Sequence, residues 1–187
     1  MFNIFKKFFS NPEESKDVSQ IHEVTKTMVE MYNVPGHFPR TDSSLYTKNH
    51  HDIVVVQDSP CYICGVKNST LKDPQQNLIG ATQIETHHFK VEWGLANAVD
   101  WTEMKALYPD FPDWLKIDPN DETTYFNFVD SVYNLIPLCD KHHRGINLGI
   151  HAIEYSVWQA QKYAKKDFPL IVKNQGKSFN GFVDDLS

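Results

Sequence analysis

Three cysteines and two histidine pairs hold the chemistry available to this chain. Cys61 and Cys64 stand two residues apart, with Gly65 directly after them. Cys139 and His142 repeat that gap, and His143 follows. A second pair, His87-His88, lies upstream, and an Asn134-Leu135-Ile136-Pro137-Leu138 run leads into Cys139. Zinc takes four tetrahedral sulfur or nitrogen ligands, and a two-residue gap lets one tight turn present two of them. Cys61 and Cys64 thus form one half of a structural zinc site, and Cys139 and His142 the other. The 74 residues between Cys64 and Cys139 make such an ion a clip between distant segments, and ligation of this kind is coupled to folding. Three cysteines cannot all pair as disulfides, so zinc thiolates in a reducing, cytoplasmic setting are expected.

His142 and His143 are neighbours, and neighbours on a helix point about 100° apart. One ion cannot easily take both. With His142 committed to the zinc, His143 faces a second site, shared with the end of the His87-His88 strand.

The ordered combination of His-His, then Asn-Leu-x-x-Leu-Cys-x-x-His-His, on a zinc scaffold resembles the HNH nucleases of the zinc-bearing, phage-type branch, over about residues 58 to 151. The resemblance implies an α+β protein with a small ββα-metal core. It implies a metal-dependent endonuclease that hydrolyses DNA phosphodiester bonds, with His88 as the general base that activates water. His88, Asn134 and His143 are then the motif residues, and His87 and His143 ligate one divalent ion such as Mg²⁺, Mn²⁺, Ni²⁺ or Zn²⁺. That ion would bind the scissile phosphate and stabilise the leaving 3′ oxygen. Histidine suits the base role because it titrates near neutrality. Asn134 would orient the His88 imidazole or brace the loop, and Arg144 would steady phosphate or lie solvated on the helix. The third ligand is Asn147 or His151. Asn147 shares the face of His143 on an unbroken helix, whereas His151 lies about 12 Å further along such a helix and needs Gly149 to end it. Imidazole is the better ligand, which favours His151. Glu85, on the His87 side of the strand, would support the ligands from behind. The alternative is a non-cleaving DNA-binding or assembly module that keeps only Cys61, Cys64, Cys139 and His142.

The elements that must position these residues read as follows. Residues 1 to 50 form an N-terminal arm, with a helix starting at Asn11-Pro12-Glu13-Glu14 and an apolar stripe through Val18, Ile21, Val24, Met28 and Met31. Residues 35 to 50 read as a loop in which His37, His50 and His51 face solvent or bond locally. The core spans 51 to 155, with a β-branched strand at Ile53–Val56 and a hairpin from Leu78 to Phe89. On the latter's second strand Glu85 and His87 share one face, and Thr86 and His88 the other. Residues 90 to 133 form a partly helical insert whose Trp93, Trp101 and Trp114 pack onto the body. An extended segment ends at Cys139 and a helix begins at Asp140. Residues 156 to 187 carry a last helix, capped by Ser156, and a tail.

The net charge of −6 is an awkward sign for a nucleic-acid enzyme. It is local, however. Residues 92 to 130 hold nine acids against Lys105 and Lys116, and the rest is near neutral with 15 acids and 16 bases. DNA is the expected partner, through Lys162, Lys165, Lys166, Lys173 and Lys177, and the acidic insert suggests a protein partner or a nucleic-acid mimic. The N-terminal segment, four phenylalanines broken by Lys6-Lys7, lacks a small-residue cleavage site, and no stable membrane insertion is expected.

Overall fold

The computed structural model describes residues 35–36 and 42–164, all within a unit that spans Val34–Ser187. The expected helix at 11–33, the Phe/Lys segment, His37 and Lys165, Lys166, Lys173 and Lys177 lie outside them. The described chain is α+β. Among the described residues no helix is long and apolar enough to cross a membrane.

A helix, α1 (Ser44–His51), replaces the loop expected before residue 50. Ser43 starts it: its backbone is extended and its Oγ accepts from Tyr46 N at 2.9 Å. The helix then widens into a π turn over Asp52–Val56 instead of giving way to a strand. Burial shows why β-branching was a poor guide here. Ile53 and Val54 are buried side by side while Val55 and Val56 are 52% and 68% exposed, a pattern that a strand's alternation cannot produce. The turn closes at Asp58, whose φ of 46° lies in the left-handed region.

One two-stranded antiparallel sheet follows, with Ile84 opposite Cys139 and His88 opposite Leu135. Its strands, β1 (Ile84–His88) and β2 (Leu135–Cys139), lie on either side of the insert. The hairpin expected from Leu78 to Phe89 is therefore absent. Asn77 takes the backbone groups a first strand would need: its side chain donates to Leu71 O and Ala81 O and accepts from Ala81 N. Helix α4 (Asp140–Arg144) continues directly from β2. Asp140 ties it back to the start of β1, its carboxylate accepting from Thr82 N and Oγ1 at 2.9 and 3.0 Å.

Two separate apolar clusters form. The first joins Ile53, Val54, Cys61, Ile63, Val66, Ala81, Ile84, Leu135, Leu138, Cys139 and Trp158. Trp158 lies on α5 (Tyr155–Ala160), a helix entered at Glu154 without a side-chain cap; Ser156 sits within it and bonds Glu154 instead. Fully buried, Trp158 stacks on Tyr62 and Tyr155 and donates from Nε1 to His142 O at 2.8 Å.

The second cluster is the insert's own core, so its tryptophans do not simply paste it onto the body. Helices α2 (Trp101–Leu107) and α3 (Phe126–Val129) and three short 3-10 turns surround Phe128, which is 0% exposed. The rings of Trp101, Phe111 and Trp114 lie 5.9, 5.1 and 5.4 Å from it.

Trp158→Ala should cost about 3–5 kcal/mol, the range for a fully buried aromatic, read as a lowered denaturant midpoint. Loss of the indole also removes one of the two donors to His142 O, leaving Ile150 N, so the same variant should release bound metal more readily.

Candidate metal centres

The first site is built from a turn and a helix start. Cys61 N bonds Val66 O, and Gly65 N bonds Cys61 O, with Gly65 at φ 77°. This tight turn aims Cys61 and Cys64 at one point. Tyr62 N bonds Pro137 O at 2.8 Å and so fixes the turn to β2. From the end of β2 comes Cys139, and His142 follows one helical turn later.

The ligand atoms of Cys61, Cys64, Cys139 and His142 all lie within 4.8 Å of one another, close enough to bind a metal ion. The contacts are 3.9 Å between Cys64 Sγ and Cys139 Sγ, and 3.7 and 3.2 Å from His142 Nδ1 to Cys61 and Cys139 Sγ. Sulfurs about 2.3 Å from a central ion at tetrahedral corners would stand about 3.8 Å apart, so the donor set has the size of such a site. Electrostatics point the same way. Hydrogen bonds from Cys139 and Cys64 hold the Cys61 thiol far below its ordinary value, while Cys61 and Cys64 push Cys139 far up. Burial lowers the His142 pKa, but hydrogen bonds and charge from Cys61 and Cys64 outweigh it and bring it to about 9. Three sulfurs and one imidazole crowded in this way form a donor set for a divalent cation.

The second cluster is His87, His143 and His151, again with one ligand atom from each within 4.8 Å of the others. Their ring centroids form a near-equilateral triangle of 5.1, 5.0 and 5.1 Å. His87 comes from β1 and His143 from α4. His151 arrives because the helix stops at Arg144, a turn earlier than the expected end at Gly149. The chain doubles back through bonds from Gly149 N to Gly145 O and from Ile150 N to His142 O. Only glycine permits this path: a Cβ at Gly145 would lie 2.4 Å from Lys141 O, and one at Gly149 2.7 Å from His143 O. Asn147 sits exposed on the intervening turn.

Glu85 backs this cluster from the His87 face of β1. It accepts from His143 Nδ1 and from the Arg144 guanidinium, which leaves His143 Nε2 as the ligand atom. Arg144 is thereby paired with a carboxylate. Burial, then the neighbouring His143, His151 and His88, pushes His87 down to about 3; burial lowers His143 as well, against the pull of Glu85. Neutral imidazoles are the form that ligates metal.

His88 and Asn134 stand elsewhere. His88 is one residue from His87, so strand alternation sends its side chain to the opposite face of β1. There it is 5% exposed, packs against Tyr46 at 5.7 Å and bonds Asp130 from Nε2 at 3.0 Å. Asn134, fully buried, makes no hydrogen bond to it. Its Oδ1 accepts from Lys90 N and Val91 N, and its Nδ2 donates to Val91 O and Val129 O, all at 2.8–3.0 Å. Of the two roles open to Asn134, the structure thus has it bracing the chain where the insert leaves and rejoins the sheet. His50 reaches beyond its neighbourhood to Thr86 Oγ1 at 3.0 Å, and His51 is exposed.

Asp130 and Ser43 are the site residues that the sequence did not single out. Asp130 counted only as one of the insert's nine acids, and no spacing links it to His88, 42 residues away. Comparison with protein-family models, with curated proteins and with solved structures gives no match for this chain.

Cys139→Ser should lose the metal bound at the cysteine site and much of the cooperative unfolding transition, checked by metal analysis alongside circular dichroism. A second expectation concerns protein cleared of metal at the three histidines. His87, near 3 when folded against an ordinary 6.5, takes up a proton only on unfolding between those values. Its contribution to stability is complete above about pH 6.5 and declines as the pH falls toward 3. Urea titrations across that window should show a shallower decline in His87→Gln.

Proposed function

We propose that the chain is a metal-dependent HNH-type endonuclease with a ββα-metal core, acting on DNA. The reading rests on one observation above the rest. An antiparallel β1–β2 pair runs into α4, and on that frame His87, His143 and His151 meet on one face, with His88 next in the strand and turned to the other. Zinc is the ion that best fits three sulfurs and one imidazole. The three imidazoles suit Zn²⁺, Ni²⁺ or Mn²⁺ better than Mg²⁺, which prefers oxygen ligands, and three protein ligands leave room for a phosphate oxygen. Bound there, the ion would supply Lewis-acid stabilisation to the phosphate and to the leaving 3′ oxygen.

The chain's own groups do the rest. Nε2 of His88 donates to Asp130, which leaves Nδ1 as the nitrogen that can take a proton from water. Water attacks phosphorus, its proton passes to Nδ1, and the bond to the 3′ oxygen breaks. Glu85 holds His143 in its ligating orientation, and Asn134 fixes the strand-to-insert junction next to His88. Lys162, the described member of the lysine set, has its ammonium 3.3 Å above the Tyr62 ring, an exposed cation for backbone phosphate. A second reading, a non-cleaving DNA-binding or assembly module on the same scaffold, draws on the depth of His88, which is nearly sealed. The acidic insert remains the proposed docking surface for a protein partner in either case.

Plasmid nicking with Mg²⁺, Mn²⁺, Ni²⁺ or Zn²⁺ tests the proposal. The wild type should convert supercoiled DNA to nicked or linear forms, and His88→Ala should be slower by about a hundredfold or more while retaining both metal contents. An inactive wild type with every ion would reject the nuclease; a folded His88→Ala protein that cleaves at the parental rate would remove His88 as the base.

A further inference from the structure

On the face of β1 turned away from His87, a carboxylate is locked behind the imidazole of His88. Asp130 is 3% exposed, and each of its oxygens has a separate donor. Oδ1 accepts from His88 Nε2 at 3.0 Å, and Oδ2 accepts from Ser43 Oγ at 2.6 Å. The main chain is held too, since Asn49 Nδ2 donates to Asp130 O at 2.8 Å and Asp130 N bonds Phe126 O. With both oxygens engaged from different directions, the carboxylate cannot turn.

An ionised carboxylate only accepts hydrogen bonds. Nε2 of His88 must therefore carry the hydrogen, and the lone pair of the neutral ring sits on Nδ1. Among the described residues Nδ1 has no hydrogen-bond partner, and it is not one of the buried unsatisfied atoms. It is the nitrogen left open for chemistry.

The helix that precedes the metal-binding segments builds the wall behind this pair. Ser43 is shared: its Oγ accepts from Tyr46 N to start α1 while it donates to Asp130. The ring of Tyr46 lies against His88, and its hydroxyl accepts from Thr86 Oγ1, which also meets His50 Nδ1. One hydroxyl thus both caps α1 and holds the Asp130 carboxylate.

We propose that Asp130 is the positioning residue for His88, held in place by Ser43 and Asn49 of the α1 segment, and that it sets the tautomer in which Nδ1 is the base. The role rests on the nuclease reading. Nitrogen-15 correlation spectra of the histidine side chains in the zinc-loaded full chain, at about pH 8 where ordinary imidazoles are neutral, read the tautomer directly. In the parent, His88 should carry its proton on Nε2 alone. Asp130→Ala should give a mixed or reversed tautomer and lower the kcat for nicking by about a hundredfold or more with KM unchanged. Ser43→Ala, which keeps the carboxylate, should lower kcat by less.

A parent protein with the proton on Nδ1 overturns the proposal, and needs no variant to fold. So does a folded Asp130→Ala protein that keeps both the tautomer and the parental kcat. A parent with the proton on Nε2 that leaves DNA intact instead rejects the nuclease and leaves the Asp130–His88 pairing standing, so the two failures are told apart.

Discussion

Adjacent side chains on a helix cannot point the same way, and the site architecture is organised around that constraint at His142 and His143. Roughly 100° of rotation separates them. His142 turns inward to three sulfurs, and His143 turns toward His87 and His151. A helix of five residues is marginal by itself, and so is a pair of five-residue strands. The strand ends in Cys139 and the helix carries His142 at its third position, so a metal ion held by the four clustered ligands would tie the two elements together. A cation at the first site would fix the rotation of α4, and with it the direction of His143.

Asn134 solves a different problem. Between β1 and β2 the chain leaves for more than forty residues and builds a second aromatic core around Phe128. Loop closure of that length costs little more than a short one, but register must survive it. The Asn134 amide bonds both sides of the exit, at Lys90 and Val91, and the return, at Val129. Each buried bond left unmade would cost about 1–3 kcal/mol, so the neck is held by the four together.

The metal-ligand spacing was legible in the sequence because a two-residue gap has a local geometric meaning. So were β1, β2 and α4, whose types follow from alternation and from the turn at Cys139. The Asn134 brace was legible only as one of two roles. Ile53–Val56 misled because β-branching is a weak preference that a well-capped preceding helix overrides; Ser43 was the signal, an ordinary N-cap before a polar run. The hairpin failed for want of knowing that Asn77 would spend its amide on the backbone. His151 could be reached only by reading Gly145 and Gly149 as a return, which depends on close approaches of 2.4 to 2.8 Å to backbone atoms that no spacing encodes. Asp130 was hidden by composition: one acid among nine, distinguished only by being buried.

The two clusters differ in charge, and that difference bears on what each can do. Three sulfurs and one imidazole carry enough negative charge to neutralise a divalent cation and more, so such an ion would be tightly kept and weakly electrophilic. Three imidazoles carry none; Glu85 reaches them through His143 and is shared with Arg144, and Glu92 stands 3.8 Å from His87 Nε2. A divalent ion there would keep nearly its full charge and attract a phosphate, even on a chain whose net charge is −6. Burial contributes by keeping His87 unprotonated at neutral pH, so the cluster offers lone pairs in place of positive charge. Of the insert's nine acids, Asp130 is buried against His88 and Glu92 lies beside His87.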